Sequence, residues 1–296
     1  MEFINLEISP ARRNFKENLG QANQFLITIE VGLDAVRQGR ADASSPSWTS
    51  WDPRDPRRSA DRSSGFASLA ALALLIDGLD AYVSDITSKP TLLQDQATAK
   101  ILARQSDSTK RFEALADLCG VNNNAPWALA QVARKWRHRL LHRTSTGKPT
   151  VAARDTLIAN KERVRSEYAG LDVEAFLARF DEGSAPRFKE TTTMIRGSHR
   201  LIEQMDTILV GNLDLEKFAR EAVDAYLIAD EKLLLSKRID NIWSKDERRR
   251  HRTLRNVLMN TGLSTRQQAV DGWTDATELF KELVGESPTS VKRRLS

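Results

Sequence analysis

The stretch Trp136-Arg137-His138-Arg139-Leu140-Leu141-His142-Arg143 holds two of the chain's four histidines among three arginines. An imidazole titrates near neutrality, so it can both take and give a proton at physiological pH. A guanidinium is a planar fork whose N–H groups match phosphate oxygens. Together these groups are sufficient to cleave RNA without a metal. A base removes the 2′-hydroxyl proton and the freed oxygen attacks phosphorus. Arginine stabilises the charge that builds on the phosphoryl oxygens, and an acid protonates the departing 5′ oxygen as its bond to phosphorus breaks.

Wound at about 100° per residue, the segment divides into faces. Leu129, Val132, Ala133, Trp136 and Leu140 form a core side. Arg134, His138 and His142 lie opposite with Leu141 beside them, and Arg137 lies on the flank. Arg137 and His142 are five positions apart and point about 140° away from each other. One helix does not easily close both on one phosphate, whereas two copies facing each other supply the groups from two sides. The spacing therefore predicts a site shared at a helix–helix interface of a homodimer, with the apolar Leu141 suited to the packing. A solvated basic helix end, favoured by the helix dipole, is the alternative. His138 and His142 also have the i, i+4 spacing of a metal-binding pair, but no carboxylate lies close by in sequence, so no metal and no cofactor is expected. Asp77 and Asp80 lie on an otherwise apolar helix. They are either partners that orient a histidine or arginine, or the polar edge of that helix.

These residues resemble the signature of the HEPN superfamily, in which an arginine is followed four to six residues later by a histidine, often with Asn, Asp or His directly after the arginine. Arg137-His138-Arg139-Leu140-Leu141-His142 fits that pattern, and Thr144-Ser145-Thr146-Gly147 follows at once. The likeness covers about residues 11–150. It implies an antiparallel helical bundle, dimerisation that brings two motifs into one cleft, and metal-independent ribonuclease activity leaving a 2′,3′-cyclic phosphate. Many members act in toxin–antitoxin or antiphage systems, which implies an inhibitor or antitoxin protein as partner. Some only bind nucleic acid or a partner. By this resemblance Arg137 binds phosphate and stabilises the transition state, His142 is the catalytic acid or base, and His138 orients or assists.

The elements that must position these groups read as helical nearly throughout. Phe15, Leu19, Ala22, Phe25, Ile29, Leu33 and Val36 recur at steps of three and four, a single stripe on a long helix opened near Pro10 and closed near Gly39. Residues 40–64, rich in Ser, Pro and Asp, break the pattern. Trp48 and Trp51 in that loop either pin it to the body or offer a surface to a partner or a base. Helices are predicted over 64–88, 91–105, 108–119 and 125–144, then 150–167, 171–181, 187–209, 214–235 and 244–260, with three short helices from Ser264. No sustained strand alternation is present. The fold class is all-α: a HEPN-like bundle over 1–150, a helical region over 151–263, and a helix-turn-helix-like unit over 264–296.

The chain of 296 residues carries 45 Lys+Arg against 40 Asp+Glu, a net charge of +5 that permits a polyanionic partner without establishing one. There is no glycine-rich phosphate loop, no HExxH and no GxSxG. The lone Cys119 excludes an internal disulfide and reads as a small core residue. The N-terminus lacks a signal-peptide pattern. The apolar run Phe66 to Ile76 is too short for a bilayer and reads as a core helix, so a cytoplasmic chain without a membrane partner is expected.

Two further basic regions point to RNA or DNA. Arg248, Arg249 and Arg250 belong to a dense run that is either a solvated face or a track for a nucleic-acid backbone, as are Arg134, Arg139 and Arg143. Arg255 to Asn260 copies the arginine signature with Asn where His should stand, a chance match without proton chemistry. The tail from Ala276 resembles a helix-turn-helix, with Ser287 as cap, Pro288 in the first turn, and Lys292, Arg293 and Arg294 placed for a DNA groove. His199 reads as a surface histidine. Three readings follow: an endoribonuclease, a non-catalytic nucleic-acid-binding regulator, and a scaffold that binds a protein through Trp48 and Trp51.

Overall fold

The computed structural model describes residues 1–41, 53–141, 147–228 and 234–295. In chain order these form β1 (Phe3–Asn5), α1 (Pro10–Arg37), α2 (Pro56–Thr87), α3 (Gln96–Arg104), α4 (Ser108–Leu118), α5 (Ala125–Leu141), α6 (Val151–Ala159), α7 (Lys161–Glu167), α8 (Val173–Asp181), α9 (Phe188–Gly211), α10 (Leu215–Ile228), α11 (Leu235–Trp243), α12 (Glu247–Asn260), β2 (Ser264–Arg266), β3 (Thr274–Asp275), α13 (Thr277–Gly285) and α14 (Pro288–Leu295). The chain is all-α with one small sheet. It divides into two compact units assembled from separated stretches. A sheet-bearing unit takes Met1–Arg13, Val83–Ser106 and Asp206–Ser296, and a helical unit takes Asn14–Tyr82 and Asp107–Met205. The three consecutive segments read from sequence do not coincide with these units, because β1 pairs with strands more than 250 residues away in the chain.

Several helix boundaries follow from local chemistry. Ser9 caps α1, its Oγ accepting from the Arg12 N–H at 3.0 Å, and Pro10 fills the first position, where a missing N–H costs nothing. The helix read as starting at 64 starts at Pro56. Asp55 Oδ1 accepts the Arg58 N–H at 3.0 Å, so a stretch that looks helix-breaking is instead a cap followed by proline at the first turn. The segment read as one helix over 150–167 is two, α6 and α7, meeting at Asn160, whose side-chain amide donates to the Thr156 carbonyl. Helix α11 occupies 235–243, a stretch read as lying almost wholly between two helices. Ser287 caps α14, accepting the Ser290 N–H at 3.1 Å, as the sequence predicts.

In the sheet-bearing unit β1 is the middle strand, antiparallel to β2 and β3, with Phe3 opposite both Arg266 and Asp275. The region from Ser264, read as three short helices, therefore holds two strands before α13 and α14. Strands of two and three residues leave no alternation to detect. Ile4, Trp243, Leu254, Leu258, Leu283 and Val291 are among the residues buried in this unit, and the Trp243 indole N–H donates to the Leu283 carbonyl at 2.8 Å.

The helical unit is organised around α5. Ala128 through Ala133 are all fully buried, so no face of this stretch is free. Gly197 of α9 makes the approach possible: a Cβ there would lie 2.8 Å from Leu129 Cδ1. The predicted stripe of α1 is buried at Phe15, Leu19 and Ala22, but its members Phe25 and Ile29 are exposed, and Leu26, outside the stripe, is buried. Helix α2 has the length and apolar character to cross a membrane, yet half of its most apolar window is buried here. Phe66 and Leu74 within the run read as core are exposed, while Leu72, Leu75 and Ile76 are buried. Cys119 is buried as expected, and burial pushes its thiol up to about 11.

Candidate functional site

The C-terminal half of α5 is held by its apolar side. Trp136 is buried against the rings of Phe176 and Phe180, at centroid distances of 5.3 and 5.4 Å, and its indole N–H donates to the Ser184 carbonyl at 3.0 Å. These contacts set the rotation of the helix and so decide where each arginine points.

Arg134 does not project into solvent. Its side chain is 4% exposed, donates to Asp80 Oδ1 at 2.5 Å, and stacks over the Phe112 ring at 4.5 Å. The face opposite the main core side of α5 is covered by α2 and α4, and an arginine there can stay charged only with a carboxylate beside it. Its expected role in nucleic-acid binding is corrected accordingly. Arg139 is likewise committed. Its guanidinium donates to the carbonyls of Phe180 at 2.7 Å and Asp181 at 3.1 Å, closing the C-terminal turn of α8, whose last carbonyls have no partner within the helix.

Arg137 is different. Its guanidinium lies 3.8 Å from Asp77 Oδ1, with the two side chains 30% and 67% exposed. This is a loose pair that leaves donors open to another anion. Arg137 and the exposed His138 line one cavity of about 450 Å³, bounded also by Arg134 and Asp80, by the first turn of α4, by Glu113 and by Lys135. Asp107, at the α4 end of this cavity, accepts from the Thr109 and Lys110 N–H groups at 2.9 and 3.2 Å, so its carboxylate is spent on the helix cap. Asp77 and Asp80 thus each face one arginine of α5. His142 and Arg143 lie outside the described residues, as do Trp48 and Trp51.

The basic residues of the sheet-bearing unit also separate into used and open groups. Arg249 pairs with Asp246 at 3.4 Å. Arg250 donates to the carbonyls of Lys245 at 2.6 Å and Val284 at 3.2 Å. Arg294 is paired with Asp224 and with Glu286, the latter at 2.9 Å. These contacts compete with any role in gripping DNA or RNA. Arg248 and Arg252 on α12 and Arg293 on α14 are exposed and have no carboxylate partner among the described residues, and Lys292 is also exposed. Arg255, in the chance copy of the signature, donates to Thr265 Oγ1 at 2.7 Å and its carbonyl at 3.1 Å. His199, read as a surface residue, is half-buried, its ring edge-on to Phe15 at 5.2 Å.

In comparisons with known proteins, no family model, no curated protein and no solved structure matches this chain.

Proposed function

We propose that the chain is a metal-independent endoribonuclease of HEPN type, acting in the cytoplasm as a toxin or antiphage effector. Arg137 binds the scissile phosphate and stabilises the charge developing on its oxygens. His142 exchanges the proton with the 2′-hydroxyl or the leaving 5′ oxygen, and His138 orients or assists. The product is a 2′,3′-cyclic phosphate and a 5′-hydroxyl end. A second copy, docked through α5, brings its own motif to the same cleft. The observation that carries this reading is that Arg137 and His138 line one open cavity, with Arg137 only loosely paired to Asp77. Arg134 lines the same cavity but is buried and hydrogen-bonded to Asp80, whereas Arg137 is half-exposed and has donors to spare.

The test is cleavage of total tRNA and a long single-stranded RNA in excess EDTA. The unaltered chain is expected to leave 2′,3′-cyclic phosphate ends. Arg137→Ala and His142→Ala should each lower the rate by about a hundredfold or more. Cleavage that persists in both variants would overturn the assignment.

A second reading, a non-catalytic nucleic-acid-binding regulator, is favoured by the exposed pair Arg248 and Arg252, one turn apart on α12. It predicts salt-sensitive binding to RNA or DNA that survives His142→Ala.

A further inference from the structure

The helical unit holds a second cavity, of about 390 Å³, whose lining differs in kind from that around Arg137. It is bounded by α1 at Gly20, Asn23 and Ile27, by the turn after α7 at Tyr168 and Ala169, and by α9, where Arg196 and His199 stand one turn apart. No carboxylate is among its lining residues. Arg200, the next arginine on α9, is neutralised by Glu167. Arg196 has no carboxylate partner among the described residues, and its one ring contact is Tyr168, 5.8 Å away. A π face positions a guanidinium without neutralising it, so all five N–H donors of Arg196 remain for a ligand. The His199 imidazole on α9 and the Asn23 amide on α1 add further polar groups to the lining.

The rest of the lining is mostly apolar, with Thr192 and Thr193 as its polar members. Ile27, Ile195 and the body of Tyr168 line it, and Tyr168 is buried. Ala169 sits on this wall with φ +53°, a left-handed backbone that a residue bearing a Cβ rarely adopts. The chain holds that conformation where the turn forms the cavity rim. Gly20, in the middle of α1, has nothing within 4 Å of where a Cβ would be, so the helix wall opens there rather than packing.

We propose that this cavity binds a small organic oxyanion, a phosphate or carboxylate carried on a compact apolar body. The charged end is held by Arg196 with His199, and the body rests against Ile27, Ile195 and Tyr168. An unneutralised guanidinium at a pocket of ligand size, with no carboxylate in its lining and the neighbouring Glu167 committed to Arg200, is the arrangement such a molecule needs. The site is separate from the chemistry assigned to Arg137 and does not depend on it.

The test uses the full chain and four probes followed by ligand-observed NMR: phenyl phosphate, benzoate, inorganic phosphate and phenol. Phenyl phosphate or benzoate should bind saturably, with a dissociation constant of about 1 mM or tighter, and the stronger of the two identifies the oxyanion. Phosphate and phenol, each carrying half of the recognition, should bind at least about tenfold more weakly. Arg196→Ala should weaken the bound probe by about tenfold to a hundredfold, and Arg196→Lys by less. Gly20→Leu fills the cavity from the α1 side at a position with open space, so it should keep the fold, shown by an unchanged or raised thermal midpoint, and lose the probe. Absence of saturable binding by both anionic probes, or equal binding by Arg196→Ala or a folded Gly20→Leu, would overturn the proposal.

Discussion

Helices α5 and α12 are both dense in arginine, and they use it in opposite ways. On α5 two of three described arginines are absorbed by the fold: Arg134 is buried against Asp80 and Phe112, and Arg139 closes the end of α8. Arg134 and Arg137 both line one cavity, and of the two it is Arg137 that is held only by a loose pair. On α12 Arg250 and Arg255 are tied to neighbouring carbonyl and hydroxyl groups, but Arg248 and Arg252 stand in solvent. Charge density in a sequence therefore says little about charge available to a ligand. What decides it is whether another element covers the face. Helix α5 is enclosed through Arg134 and half-covered beyond it, so its arginines find a partner or line a cleft. Helix α12 has an exposed side, where arginines are hydrated and need no partner.

Breaking the enclosed side of this comparison should have the largest effect. Arg134→Ala removes a buried guanidinium, leaves Asp80 without its partner and empties the space over Phe112. It should cost about 3 kcal/mol in urea unfolding. A loss below about 1 kcal/mol would mean that Arg134 is hydrated rather than enclosed. Arg139→Ala should cost about 1–2 kcal/mol, because two carbonyls at the end of α8 lose a charged donor, and hydrogen exchange should report the loss at residues 178–183. Arg248→Ala combined with Arg252→Ala should leave stability within about 0.5 kcal/mol. The same double variant should flatten the salt dependence of any RNA binding, since each phosphate contact contributes close to one unit of slope.

Much of the helix inventory was legible in the sequence. The first half of the stripe, Phe15, Leu19 and Ala22, the cap at Ser287, and the core residues Trp136 and Cys119 follow from spacing and residue type. What was hidden depended on partners far along the chain. A helical wheel of α5 places Arg134 opposite the core, because it cannot know that α2 and α4 cover that side. The trace that pointed there was Asp77 and Asp80, two acids three positions apart on an apolar helix, which face Arg137 and Arg134. The strand β1 was invisible for a similar reason. Three residues carry no periodicity, and their partners are β2 and β3 near the other end of the chain. His199 looked like a surface residue because the wall that makes it part of a pocket comes from α1 and the turn at Tyr168. The Arg137–His142 signature itself is a spacing within six consecutive residues, so it could be read without any of this.

The central claim is that Arg137, among the arginines of both helices, does the chemistry. The most direct test compares Arg137→Ala with the Arg248→Ala/Arg252→Ala double variant, measuring RNA cleavage in EDTA and RNA affinity side by side. The account predicts that Arg137→Ala stays folded and loses cleavage by about a hundredfold or more, while the double variant binds RNA more weakly and still cleaves at saturating RNA. Cleavage retained by folded Arg137→Ala and lost by the double variant even at saturating RNA would contradict it.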